Sequence, residues 1–176
     1  MVAQPQLRML IGRDEIAKAV DRLACEIKRD YSGKEPLLIG VLKGSFVFLA
    51  DLVRRLDDLP MELDFVNLSS YGSNRDSCGK ITVVQGLRAS VRGRDVLVIE
   101  DIVDTGITTS FLLDYLRTKK PASLRLCTLT EKPSRRRMTV CIDYLGFSLP
   151  DAFIVGYGID FDERFRNLPD IYANEG

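Results

Sequence analysis

No histidine occurs anywhere in the 176 residues. That absence removes the commonest general base, the Ser-His and Cys-His nucleophile pairs, and every histidine-ligated metal. Proton transfer must fall to Asp, Glu, Lys, Tyr or Cys. Any metal is expected to be a hard ion held by carboxylates and phosphates, which points to magnesium. Net charge is missing as well: 25 Lys and Arg balance 25 Asp and Glu, so no net field draws the chain to nucleic acid or an anionic membrane. Cysteine is sparse. Cys25, Cys78, Cys127 and Cys141 are scattered without a CxxC pair, which argues against a zinc site or disulfide framework and suits a reducing compartment. No apolar run approaches the roughly 20 residues of a membrane span, and Met1 to Leu10 holds no apolar signal core. The expectation is a cytoplasmic protein whose partners are neither nucleic acid nor membrane.

What is present is a 45% hydrophobic chain, long enough for one compact domain over residues 1–176 and too short for two of ordinary size. Asp14 to Tyr31 reads as an amphipathic helix with Ile16, Val20, Leu23, Ala24 and Ile27 on one face, stopped by Ser32 and Gly33. Pro36 to Leu42 is a short apolar run of the kind buried on both faces of a parallel sheet. A helix over Phe46 to Leu56, an extended run over Met61 to Ser69 and a polar loop over Tyr71 to Lys80 follow. Ile81 to Val84, Val96 to Ile99, Ser123 to Thr130 and Phe153 to Val155 read as strands, with a helix over Thr108 to Lys119. Strand and helix alternate, so the expected class is α/β with a mainly parallel central sheet. Ligands of such sheets bind beyond the carboxyl ends of the strands.

The segment at the end of the most buried strand, VLVIEDIVDTGITTS, carries the most information. It runs from apolar residues into Glu100 and Asp101, then Asp104, then Thr105, Gly106, Ile107, Thr108 and Thr109 where a helix begins. Free N–H groups and the positive dipole end there make an anion site. Carboxylates beside an anion site suit a sugar phosphate, because vicinal hydroxyls can donate to Glu100 and Asp101 while the amides hold the phosphate. An ordinary strand–turn–helix unit with Asp104 as its cap would explain Asp104 but not the acidic pair.

This segment resembles the phosphoribosyl-pyrophosphate signature of the type I phosphoribosyltransferases: apolar strand, Glu-Asp, two apolar residues, Asp-Thr-Gly, then Thr. The resemblance extends from about Ile11 to Ile171, with every motif in the expected order, and is closest to the hypoxanthine-guanine branch. It implies a single α/β domain with a small hood and a flexible loop. It implies Glu100 and Asp101 at the ribose hydroxyls, Asp104 to Thr109 around the 5′-phosphate, and Asp104 as the acid/base group at purine N7. Some relatives have Lys where Ile107 stands, so direct cationic help in this loop is absent here.

The other motifs take roles by the same resemblance. Leu42, Lys43 and Gly44 would bind pyrophosphate, with a non-proline cis peptide at Leu42-Lys43. Ser70 and Tyr71 would belong to a flexible loop that shields the reaction from water. Lys132 would donate to the purine O6; an ammonium offers only donors, so a 6-amino purine is disfavoured. Phe153 would stack on the base and the backbone of Ile154 would read its edge. Asp160 would lie beside the base and, with Glu100 and Asp101, at magnesium. Arg166 would contact pyrophosphate. Small-molecule substrates and a homodimer or homotetramer are implied. Rival readings are the same chemistry with xanthine or another base, an RNA-binding regulator using Arg135, Arg136 and Arg137 on this fold, and a receiver-like domain that leaves Phe153 to Arg166 unexplained.

Overall fold

A computed structural model describes residues 6–71 and 80–175. The first strand, β1 (Leu7–Ile11), gives way at Gly12 to helix α1 (Arg13–Asp30). The Glu15 carboxylate accepts from the Gly12 N–H at 3.1 Å, and Asp14 and Glu15 place negative charge in the first turn, where the helix dipole favours it. α1 buries Ile16, Val20, Leu23, Ala24 and Ile27, the face its periodicity predicts.

The apolar run becomes β2 (Leu37–Leu42), followed by α2 (Phe46–Arg55), β3 (Glu62–Tyr71) and β4 (Lys80–Gln85). β5 (Asp95–Val103), α3 (Ile107–Thr118), β6 (Ser123–Glu131) and β7 (Tyr144–Ser148) complete the main sheet, in the order β4-β3-β2-β5-β6-β7. All neighbours are parallel except β4, which runs antiparallel to β3 at the edge. β5 is longer than its apolar stretch suggests: pairing with β6 continues to Val103 opposite Glu131. Glu100 and Asp101 therefore belong to the strand and not to the loop beyond it. The ladder supports them because β6 is equally long beside it.

Side chains alternate across the sheet and divide the core in two. Leu38, Leu97, Ile99 and Leu129 pack under α1 and α2 with Leu23, Ile27, Phe48 and Leu52. Leu37, Ile39, Val96, Val98 and Leu126 pack under α3 with Leu112 and Leu116. A separate sheet of β1, β9 (Ile171–Asn174) and β8 (Ile154–Val155), ordered β1-β9-β8 and antiparallel throughout, forms a hood from both ends of the chain. The strand expected at Phe153 to Val155 thus lies in the hood, while β1, β7 and β9 went unread. No helix among the described residues is long and apolar enough to cross a membrane.

At the sheet end remote from the cleft, Arg125 donates to Asp30 at 2.8 Å and to the Tyr144 hydroxyl at 2.7 Å. Tyr31 lies beside them, 1% exposed, and its hydroxyl has no hydrogen-bond partner among the described residues. Burial drives its ionisation well above the ordinary tyrosine range. A buried polar group without a partner costs about 1–3 kcal/mol. Tyr31→Phe keeps the ring beneath Arg125 and should leave stability unchanged or raise it by about 1 kcal/mol. Chemical denaturation checks this, and a substantial loss of stability would show that the hydroxyl is hydrogen-bonded.

Candidate active site

β2 and β5 end at the same edge, and the residues there, with Leu68 of β3, open into a cleft of about 270 Å³ lined by Leu42, Gly44, Glu100, Asp101, Asp104 and Thr105 to Thr109 without Ile107. At the floor, Glu100 is 5% exposed. Burial and the neighbouring Asp101 raise its ionisation well above the usual carboxylate range, opposed by a hydrogen bond from Thr109. Asp101 is pushed up to about 6, chiefly by burial, against its backbone hydrogen bonds and the attraction of Arg166. Two acids crowded out of water in this way are matched to hydroxyl donors or a cation.

The phosphate-loop expectation rests on how α3 begins. Gly106 is its N-cap, left-handed at φ 78°, and a side chain there would come within 2.8 Å of the Met138 carbonyl. Only glycine meets both demands. The first helical amide bonded inward is Ser110, which donates to Gly106 O at 2.8 Å, so the amides of Thr108 and Thr109 point out of the helix end, while the Ile107 N–H makes a long 3.4 Å bond to Thr105 Oγ1. Arg137 and Met138 N–H groups both donate to Thr105 O, at 2.9 and 3.1 Å, holding the loop from behind. Ile107 is 40% exposed.

The Leu42-Lys43 peptide is cis. Gly44 lies directly against the Asp101 carboxylate, where a Cβ would overlap Oδ2. The next residue, Ser45, is fully buried and donates to Val41 O at 2.6 Å, which ties the turn to β2.

Asp104 stands just past β5. Its Oδ1 lies 2.9 Å from Arg135 Nε, but the approach is too bent for a hydrogen bond and this buried oxygen has no hydrogen-bond partner among the described residues. Arg135 also reaches Asp151 at 3.3 Å. Lys132 follows β6, 4% exposed; burial lowers its ionisation, and the nearby Asp104 partly restores it. No carboxylate pairs with its ammonium among the described residues.

The residues expected beside the base come from the hood. Phe153 is 50% exposed, and its ring meets Phe161 edge-on, centroids 5.3 Å apart and planes at 80°. Phe153 O accepts from Asn174 N–H at 2.7 Å, so strand alternation turns the amide groups of Ile154 to the free edge of β8. Asp160 accepts from Glu163 N–H at 2.9 Å and pairs with Arg166 at 2.8 Å. Glu163 in turn joins Lys43, at 3.0 Å, to Arg166, at 3.1 Å. Ser70 and Tyr71 end β3, their backbones paired with Ile81 and Lys80; the loop expected between them lies over 72–79, outside the described residues. Phe161 and Glu163 entered no sequence-based site, and Arg135 entered only the rival RNA-binding reading. The only signals were an arginine run, a second aromatic and an acidic turn, none with a spacing rule.

A model of the phosphoribosyl transferase domain matches residues 12–162. The chain belongs to this family. The hypoxanthine-guanine phosphoribosyltransferase of Bacillus subtilis (strain 168) is 46% identical over 162 residues, 92% of this chain and 89% of that protein. The protein of the same name from Aquifex aeolicus is 43% identical, covering 97% of this chain and 96% of its own. The crystal structure of a hypoxanthine-guanine phosphoribosyltransferase from Bacillus anthracis superposes with a TM-score of 0.90 at 42% identity, covering 97% of this chain and 99% of that one. The phosphoribosyltransferase fold therefore belongs to the chain as a whole, hood included.

Proposed function

We propose that this protein is a purine-salvage enzyme, a hypoxanthine(-guanine) phosphoribosyltransferase working as a single domain on small-molecule substrates. The observation that carries the reading is the pairing of a buried acid, Glu100, and a half-buried one, Asp101, with outward-pointing amides at the start of α3, all in one cleft. Vicinal ribose hydroxyls and a 5′-phosphate satisfy both halves at once.

In the reaction, N9 of the base bonds to the anomeric carbon as the bond to the diphosphate oxygen breaks, and the N7 proton passes to Asp104. Its buried Oδ1, without a hydrogen bond among the described residues, is an acceptor suited to that proton once Arg135 is displaced. Phosphate held remotely by Thr105 to Thr109 lends binding energy to the reacting centre. Phe153 and Phe161 form a ledge for the base, with the free edge of Ile154 beside it. Lys43 and Arg166 face the leaving group.

The described residues contain no group of three acids that could hold a metal unaided. Magnesium commonly takes one or two carboxylates and fills its remaining positions with substrate oxygens and water. Asp101 and Asp160, close enough to influence each other, suit that pattern, with Glu100 behind them. Bound there, the ion would neutralise charge on the departing diphosphate. The deciding experiment is pyrophosphate release from phosphoribosyl pyrophosphate with hypoxanthine, guanine and xanthine in turn, with and without magnesium. Release with no base, or retarded RNA in a gel without release, would overturn the enzyme reading.

Lys132 is assigned to O6. Lys132→Met should raise the KM for hypoxanthine by about 10- to 100-fold, the worth of a hydrogen bond to a charged group, with the KM for phosphoribosyl pyrophosphate little changed. An unaltered hypoxanthine KM in steady-state assays would remove Lys132 from base recognition. We place the enzyme in the cytoplasm as a homodimer or homotetramer. The described cysteines Cys25, Cys127 and Cys141 are free thiols, and Phe46, Leu63 and Val84 are large apolar side chains left exposed.

A further inference from the structure

The two cations that face the leaving group are both engaged by one side chain. Glu163 Oε1 is 3.0 Å from Lys43 Nζ, and Oε2 is 3.1 Å from Arg166. Lys43 comes from the turn after β2 and Glu163 from the segment between β8 and β9, 120 positions away in the chain, so the contact joins two separate parts of the fold. We infer that Glu163 is an internal stand-in for the diphosphate, a positioning residue that competes with it for Lys43 and Arg166 and so speeds its departure. This inference rests on the enzyme reading above.

Three features support a built contact over a chance surface pair. First, the turn is held in an unusual shape: Asp162, Glu163 and Phe165 all have left-handed backbones, at φ 51°, 60° and 72°. Non-glycine residues adopt that conformation at a cost and keep it where surroundings impose it. Second, the turn is braced from within. Asp160 accepts from the Glu163 N–H at 2.9 Å, and Phe161 and Arg164 form a backbone bridge. Third, Arg166 Nε is buried without a hydrogen-bond partner among the described residues, so the guanidinium keeps one donor in reserve while Gly158 O holds a second and Glu163 shares the third with Asp160.

The strength of the contact suits an exchange. Lys43 and Glu163 side chains are 58% and 64% exposed, and exposed ion pairs are weak and easily opened. A multiply charged diphosphate outcompetes a single carboxylate for the same cations. As the product loosens, however, the tethered carboxylate is already at hand, at the high local concentration of an intramolecular group. Its return lowers the affinity of the site for any diphosphate, substrate or product.

The test is calorimetric binding of magnesium pyrophosphate, with its inhibition constant in the forward reaction, for wild type and Glu163→Gln. Gln keeps the size and backbone demands of Glu163 while removing the charge. Binding should tighten by about three- to tenfold, as expected for deleting one like charge near the ligand at a surface dielectric. The gain should shrink when Lys43 is already Met. A merely structural role predicts the opposite sign, since loosening the turn would weaken binding. Thermal melting of Glu163→Gln and Glu163→Ala verifies folding, and both should tighten binding. Unchanged or weaker pyrophosphate binding in both folded variants, with an active wild type, overturns this inference alone. A folded wild type that neither binds pyrophosphate nor releases it sinks the enzyme reading, and this inference falls with it.

Discussion

Asp104→Asn should lower kcat with hypoxanthine by about 10²–10⁴-fold, the range typical of general acid–base catalysis, while phosphoribosyl pyrophosphate still binds. Asparagine has the same shape but cannot take a proton at N7. The amides that would hold the 5′-phosphate come from the backbone of the following residues, and that backbone is braced by Arg137 and Met138 on Thr105 O at 2.9 and 3.1 Å. The substitution leaves this bracing intact. It also dissolves the ion pair with Arg135, whose side chain is 45% exposed, so little stability depends on it. Steady-state kinetics with calorimetric titration of phosphoribosyl pyrophosphate separate the two effects. Unchanged turnover would strip Asp104 of its role. Lost ligand binding in folded protein would recast it as a structural member of the loop.

Gly44→Ala should be nearly as damaging through geometry alone. A methyl at position 44 overlaps the Asp101 carboxylate. Neither side can yield cheaply. Ser45 behind it is fully buried and bonded to Val41 O at 2.6 Å, while Gly158 presses on the Gly44 carbonyl from the other side. Asp101 lies past the pairing with β2, which ends at Ile99, but β6 runs alongside to Val103 and the Thr130 hydroxyl donates to Asp101 O at 2.8 Å. The carboxylate must swing away, or the turn carrying Lys43 must shift, and a displacement of about 1 Å in such a site can cost about 10²-fold in rate. Circular dichroism should show the fold retained. Near-normal activity in the folded variant would mean that the contact between these two segments does not set the geometry of the reaction.

The stretch from Val96 to Thr109 was legible because its meaning is local: an apolar strand, acids, then a turn and helix lie within fourteen consecutive positions. The α/β class was legible for the same reason, since α1, β2 and α3 each carry their own periodicity. Even there the strand boundary was misjudged. Apolar patterning ends at Ile99, yet β5 continues through the acids because β6 supplies a ladder to Val103, and no property of Glu100 or Asp101 announces a partner strand. The hood was harder still. β1 is five residues long and mostly outward-facing, and it becomes a strand only by pairing with β9, Leu7 opposite Asn174, from the far end of the chain.

The sequence by itself therefore determined which chemistry is possible: no histidine, a set of acids, a helix start whose free amides suit an anion, and a lysine that offers only donors. Tertiary structure alone decided which of these groups meet. It set Gly44 against Asp101, Arg135 against Asp104, Phe161 against Phe153, and Glu163 between Lys43 and Arg166. Periodicity records only what a residue needs from its own helix or strand, whereas these encounters arise when distant strand ends converge on one edge of a sheet.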